Sequence, residues 1–278
     1  MKTPSLLAKT YFLSILCVGL ALAIPHSAVE AADGDLPSLP WKNAELQAGL
    51  FVPLFQSDVQ LDSDVLGNGT KVDLEDDLGL DKEIFSYRVD GYWRVFPRHT
   101  LAVSYYDLSR DADSTITRTI QVGDTTFTAG ADVSTKLDLR VLQANYGYSF
   151  IHNQKFDMAA KLGVYLADMK FRISSPGLAT EEESLLAPLP VLGLQGSYAI
   201  TPRIFASAGA NVFFVEYGEY SGSLVDAKVT LDFDLTDNLG LGLGYNHNFI
   251  NIERDSASDA FDVDFNYGAF MLYLRLFL

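Results

Sequence analysis

The chain has one cysteine among its 278 residues, Cys17, and it lies inside an N-terminal apolar stretch. With that stretch removed, no disulfide, cysteine zinc site or thiol nucleophile can be built. Histidine is nearly as scarce, at four residues: His26, His99, His152 and His247. Basic residues are outnumbered, with 20 Lys and Arg against 36 Asp and Glu and a net charge of −16. So acidic a chain repels nucleic acid, and no basic patch offsets this. Nothing after residue 31 is apolar for long enough to cross a bilayer as a helix, which takes about 20 apolar residues. Low hydrophobicity is missing too. The chain is 48% hydrophobic and rich in Tyr and Phe, so it folds and does not stay disordered.

What is present begins with an export signal. Lys2 and Lys9 give a positive start, and residues 11–24 are an unbroken apolar stretch. Pro25 breaks it, and Ser27-Ala28-Val29-Glu30-Ala31 follows, with Val29 and Ala31 obeying the small-residue rule for cleavage. Residues 1–31 are therefore read as a signal peptide, 32–42 as a periplasmic lead and 43–278 as the folded domain. The apolar stretch is too short for a retained anchor. A lipoprotein signal is disfavoured because Leu16 stands where a small residue should precede Cys17.

Beyond the signal the recurring pattern is alternation with period two, the mark of a strand with two unlike faces. Leu46, Ala48, Leu50, Val52 and Leu54 oppose Glu45, Gln47, Gly49 and Phe51. Leu239, Leu241, Leu243 and Tyr245 oppose Gly240, Gly242, Gly244 and Asn246. Strands are expected near 43–55, 84–96, 100–110, 137–150, 156–172, 186–200, 203–216, 222–235, 239–250 and 264–278. The fourth changes phase near Val141-Leu142, which calls for a bulge or a different register. Pro188 and Pro190 remove ladder donors from the sixth, whose upper end is expected to be irregular.

The connectors alternate in length. Pro97–His99, Ile151–Lys155, Thr201–Arg203 and Thr236–Asn238 are short, while 56–83, 111–136, 173–185, 217–221 and 251–263 are longer. Short periplasmic turns alternating with longer outer loops are what membrane barrels of the outer envelope show. The fold class is therefore all-β: a closed antiparallel transmembrane β-barrel of about ten strands. The 111–136 loop alternates too and is read as a hairpin projecting above the membrane; twelve strands follow if it spans, and eight if two of the ten do not. With the export signal this places the chain in the outer membrane, apolar faces toward lipid. Tyr87, Trp93, Tyr105, Tyr148 and Tyr198 would form interfacial girdles.

The last strand carries Phe270, Leu272, Leu274, Leu276 and Leu278 on one face. It resembles the terminal assembly signal of outer-membrane barrels, which usually ends in Phe or Trp; here Phe277 is penultimate. The stretch Leu74–Asp81, then Tyr92-Trp93-Arg94, Pro97–Leu101 and Ser104–Leu108, is similar to uncharacterised members of the OmpA-type outer-membrane β-barrel superfamily. The resemblance implies the architecture and leaves structural, adhesive and narrow-pore roles open. Its partners would be outer-membrane lipid, lipopolysaccharide and, through the C-terminal strand, the barrel-assembly machinery; no cofactor is implied.

Three constellations could carry function. Glu45, Arg88, Asp90, Arg94, Lys161 and Arg275 are expected to line the lumen, as an ion-paired filling or as a charged constriction. A ten-stranded barrel is barely wider than one its own side chains fill, and Tyr92, Tyr106, Tyr165 and Tyr273 would narrow it further. The filled interior is preferred on that ground. Loop 56–83 is rich in Asp and Glu, the ligands Ca²⁺ prefers, but its spacing matches no calcium motif, and an ordinary solvated loop is the preferred reading. Its Leu74, Leu78 and Leu80 imply that 72–82 is ordered and packs on the barrel rim. Third, a rim enzyme of the omptin type would show acid pairs and a His–Asp pair at the outer end, and the sequence presents no such set.

Overall fold

The computed structural model describes residues 39–61, 70–178, 180–217, 220–254 and 261–278. The expected signal peptide and most of the lead, with the loop acids Asp62, Asp64, Asp255 and Asp259, lie outside the described residues.

Ten strands form the wall: β1 (Ala44–Leu61), β2 (Ser86–Phe96), β3 (His99–Thr115), β4 (Asp132–His152), β5 (Phe156–Ser174), β6 (Glu181–Thr201), β7 (Ile204–Tyr217), β8 (Tyr220–Asp234), β9 (Leu239–Arg254) and β10 (Phe261–Phe277). Each pairs antiparallel with its neighbours in sequence. β10 returns to β1 from Glu45↔Phe277 to Leu61↔Phe261, which closes the cylinder. All ten strands were expected, and nine of them extend further than expected toward the loop end; β2 starts at Ser86, inside its expected range. At the turn end they stop where the sequence indicates. At the loop end the other nine run on: β3 continues to Thr115 and β4 starts at Asp132, so 111–136 projects as a hairpin built on the wall strands themselves, with the shorter pair Ile120–Val122/Thr125–Phe127 above them.

The reason is visible on β4. From Leu142 to Tyr148 its even-numbered side chains, Leu142, Ala144, Tyr146 and Tyr148, face outward and its odd ones, Gln143 to Ser149, face the lumen. From Val141 back to Val133 the polarity reverses: Leu137, Leu139 and Val141 are inside while Lys136, Asp138 and Arg140 are outside. The expected bulge at Val141-Leu142 is not there. β4 pairs with β3 without a shift from Asp132 to Tyr148, and with β5 from Ser134 to Ser149. The backbone keeps its register while the chemistry of the two faces exchanges.

β1 and β5 make the same exchange. Leu46, Leu50 and Leu54 point out below Gln56, while Glu45 and Gln47 point in below Phe51 and Phe55. On β5, Leu162, Val164 and Leu166 give way outside to Asp168, Lys170 and Arg172. A membrane strand needs only about 9–11 residues, whereas β4 and β6 have 21 each. The turn-end half therefore spans lipid, and the loop-end half stands in water with an apolar core of its own.

Above that line the polar outer face mimics a loop in the sequence, and so the expected strands were too short. Pro188 and Pro190 leave the β5–β6 ladder unbroken, and the expected irregularity of this end is confined to the other edge of β6. They lie just beyond Leu192↔Val212, the last β6–β7 pair, where the other edge of β6 has no ladder to lose.

Two segments roof the loop end. Asp73 caps a single turn by accepting from the backbone N–H of Glu75 (3.0 Å) and Asp76 (2.6 Å). Gly79, with φ +76°, ends it as Leu80 N–H reaches back to Leu74 O. That turn lowers Leu74, Leu78 and Leu80 into the apolar core. Glu75 goes with them, accepting from Ser57 N–H at 2.8 Å and pairing with the buried Arg110 guanidinium. The small hairpin Ile120–Val122/Thr125–Phe127 adds Ile120, Val122 and Phe127 to the same core.

Candidate functional site

In the turn half, alternation that sends leucines to lipid must send their neighbours into the lumen. All six expected residues, Glu45, Arg88, Asp90, Arg94, Lys161 and Arg275, border one polar cavity of about 220 Å³. They do not converge on a single constriction.

Arg275 of β10 meets Glu45 of β1 by two bonds (2.6 and 2.9 Å) and reaches Asp234 of β8 at 2.8 Å. Arg88 grips Asp90 two residues along β2 (Nε–Oδ2 3.0 Å) and donates to Ser104 Oγ at 2.8 Å; Lys228 Nζ lies 3.5 Å from the same Asp90. Arg94 pairs with Asp157 at 2.5 Å, nearer the turns, and His152 Nδ1 lies 3.4 Å from that carboxylate. Lys161 stands apart from all three groups.

Several lumen residues were not singled out from sequence. Asp226 accepts from Gln143 (2.8 Å) and Asn246 (2.7 Å), tying β8 to β4 and β9. Asp226, Lys228, Thr230, Asp232 and Asp234 alternate with Ala227, Val229, Leu231 and Phe233. That was the readable signal for the β8 face.

The cup is sealed above. Tyr106, Tyr165 and Tyr267, all at most 1% exposed, join hydroxyl to hydroxyl at 2.8 and 2.7 Å, and Asn248 donates to Tyr165 at 3.2 Å. Phe51 packs 5.1 Å from Tyr106, and Phe55, Leu139 and Phe265 continue the apolar filling toward the roof. Of the tyrosines expected to narrow the lumen, Tyr106 and Tyr165 belong to this layer. Tyr273 instead donates to Asp232 (2.7 Å), and Tyr92 to the carbonyl of Lys42 (3.2 Å).

Below, the lead crosses the mouth. Trp41 donates to the carbonyl of Asn153 in the β4–β5 turn (2.6 Å), and its ring lies 5.7 Å from Phe205 of β7. Lys42 pairs with Asp234 at 3.3 Å and sits over the Phe277 ring.

At the other end, several carboxylates of the acidic loop are engaged within the fold. Asp76 binds Lys82 at 2.8 Å. Arg118 grips Asp77 with two donors, and this bond holds the Asp77 carboxyl below the usual carboxylate range despite partial burial. Asp58 and Asp264 flank Lys71 at 3.6 and 3.1 Å. Burial, and the neighbouring carboxylates, push the Asp58 carboxyl up despite Lys71.

A closed antiparallel barrel with a lipid-facing belt and a polar lumen is the architecture of the outer membrane; the chain is an outer-membrane β-barrel. No family model matches it, and no curated protein matches it in sequence. Among solved structures it is similar to the outer membrane protease OmpT from Escherichia coli, at 9% identity over 84% of this chain and 97% of that one, with TM-score 0.49. It is also similar to the translocator domain of the autotransporter NalP from Neisseria meningitidis (12% identity, 98% and 96% covered, TM-score 0.42). A third is Ail, the attachment invasion locus protein of Yersinia pestis (12%, 83% and 99%, TM-score 0.35). Likeness at these levels assigns no role to any residue of the chain.

Proposed function

We propose that this is a non-conducting barrel that acts through its place in the envelope and its outer surface, with a structural or surface-interaction role. The observation that carries this reading is the seal. The Tyr106–Tyr165–Tyr267 layer and the apolar core above it leave the polar cup blind at its outer end, and an ion cannot cross such a filling without shedding its water. The projecting half, polar outside and roofed by ordered segments, offers a firm surface to lipopolysaccharide or to a neighbouring cell.

Kinship with the OmpA-type superfamily, export by the 1–31 signal, and assembly through the β10 strand belong to the same proposal. The aliphatic outer face of β10 at the turn end supports the last of these. A narrow channel is the alternative, favoured only by the charged cup. A rim-located enzyme finds less support: among the described residues His247 points outward from β9, and the His152–Asp157 pair lies at the turn end.

The test is conductance of the purified folded protein in planar bilayers. The proposal expects silence at moderate voltage. Steady single-channel steps would replace it with the narrow channel.

A further inference from the structure

Lys161 is the lumen cation that the ion pairs leave out. Among the described residues its ammonium forms no ion pair and no hydrogen bond, although it borders the cavity. Its row across the wall runs Lys161↔Gly193↔Asn211↔Asp226. Asp226, at the far end of that row, is held by amides of Gln143, Asn246 and Asn211, so its charge acts on Lys161 at a distance and no ion pair joins them.

The wall beside Lys161 is bare by construction. A Cβ on Gly193 would stand 2.3 Å from Asn211 Oδ1 and 3.1 Å from Lys161 Cε, so only glycine lets both side chains lie there. Gly209 on β7 continues the bare strip toward Lys228 on β8. Gln195 and the bonded pair Ser207–Ser197 (2.9 Å) complete a bay of neutral donors on the turn side.

A half-buried ammonium with three unspent donors calls for an anion or water beside it. Here no carboxylate of the wall touches it, while the room for one is present. We propose that this bay, between Lys161 and Lys228, binds a small oxyanion, a carboxylate or phosphate group, entering from the periplasmic side. The direction follows from the tyrosine seal, which closes the other end. The site rests on the blind-cup reading for its access route only: a failure to bind anion would leave bilayer silence untouched, and steady conductance would refute the seal without emptying the bay.

The experiment is calorimetric titration of the purified full chain in dodecyl maltoside with sodium phosphate and, separately, with sodium acetate. Heat-modifiable gel mobility verifies that each variant is folded. Saturable binding is expected for at least one probe, and which probe binds separates the phosphate from the carboxylate source. Lys161→Met should weaken it at least about tenfold, Lys161→Arg should retain most of it, and Lys170→Met on the outer face should leave it unchanged. Absence of saturable binding to both probes, or equal affinity in folded Lys161→Met, overturns the proposal.

Discussion

Below Val141, β4 carries its apolar residues on the outside of the barrel; above it the same strand carries them on the inside. Leu142 is 41% exposed and Leu139, three residues away, is fully buried, with no break in pairing between them. The two halves share strands, register and closure, and differ in the solvent outside them. In lipid the outer surface gains nothing from hiding leucine, and the lumen is held by charge pairs and amides such as Arg275–Glu45 and Asp226–Asn246. In water the outer surface must be polar, and Leu108, Leu139, Phe171 and Phe265 supply an ordinary hydrophobic core. A β-barrel wall therefore reports, residue by residue, where the membrane ends.

The largest effects are expected from giving each half the other's interior. Leu139→Asp places an unpaired carboxyl in the apolar core and should cost about 4 kcal/mol or more, or prevent folding. Arg275→Met strips the guanidinium from Glu45 and Asp234 and should cost about 3–5 kcal/mol. Both are read from urea midpoints of the detergent-solubilised protein, and a small effect of either would mean that its half is not held as described.

Outer faces come next. Leu162→Arg, in the belt at 60% exposure, should cost about 2–4 kcal/mol in lipid vesicles. Lys170→Leu, above the line on the same strand, should change stability by no more than about 0.5 kcal/mol. Equal costs would erase the boundary between them.

The smallest effect concerns the roof. Because the Asp77 carboxyl is held below its usual range, its bond to Arg118 stabilises the lid at pH values above that range and is lost as the pH falls through the depressed value. Protease nicking of the 70–85 segment should rise below about pH 4, where such carboxylates protonate. Arg118→Ala should raise the pH at which nicking begins; an unchanged profile would assign the acid sensitivity elsewhere.

Most of the fold was legible because period-two alternation survives any choice of solvent. Ten strands and four short turns could be read from it. The boundary was legible too, as the phase change at Val141-Leu142 and as Phe51 sharing a face with Glu45. A one-residue swap of polarity reads equally as a bulge, and only the pairing pattern separates the two. The six charged lumen positions were read from parity alone. Their separation into clusters, the Trp41 strap and the partnership of Tyr267 with Tyr106 were not readable, since each depends on residues far apart in the sequence, up to 230 positions for Arg275 and Glu45. The loop leucines Leu74, Leu78 and Leu80 announced an ordered segment, but not that Glu75 is buried with them against Arg110.

The most direct test is a cysteine scan of the outward positions of β4, with Cys17 replaced by serine and the folded protein in lipid vesicles. A water-soluble maleimide should label cysteines at 134, 136, 138 and 140 and spare those at 142, 144 and 146. Protection continuing through 134–140, or labelling through 142–146, would contradict the two-solvent barrel.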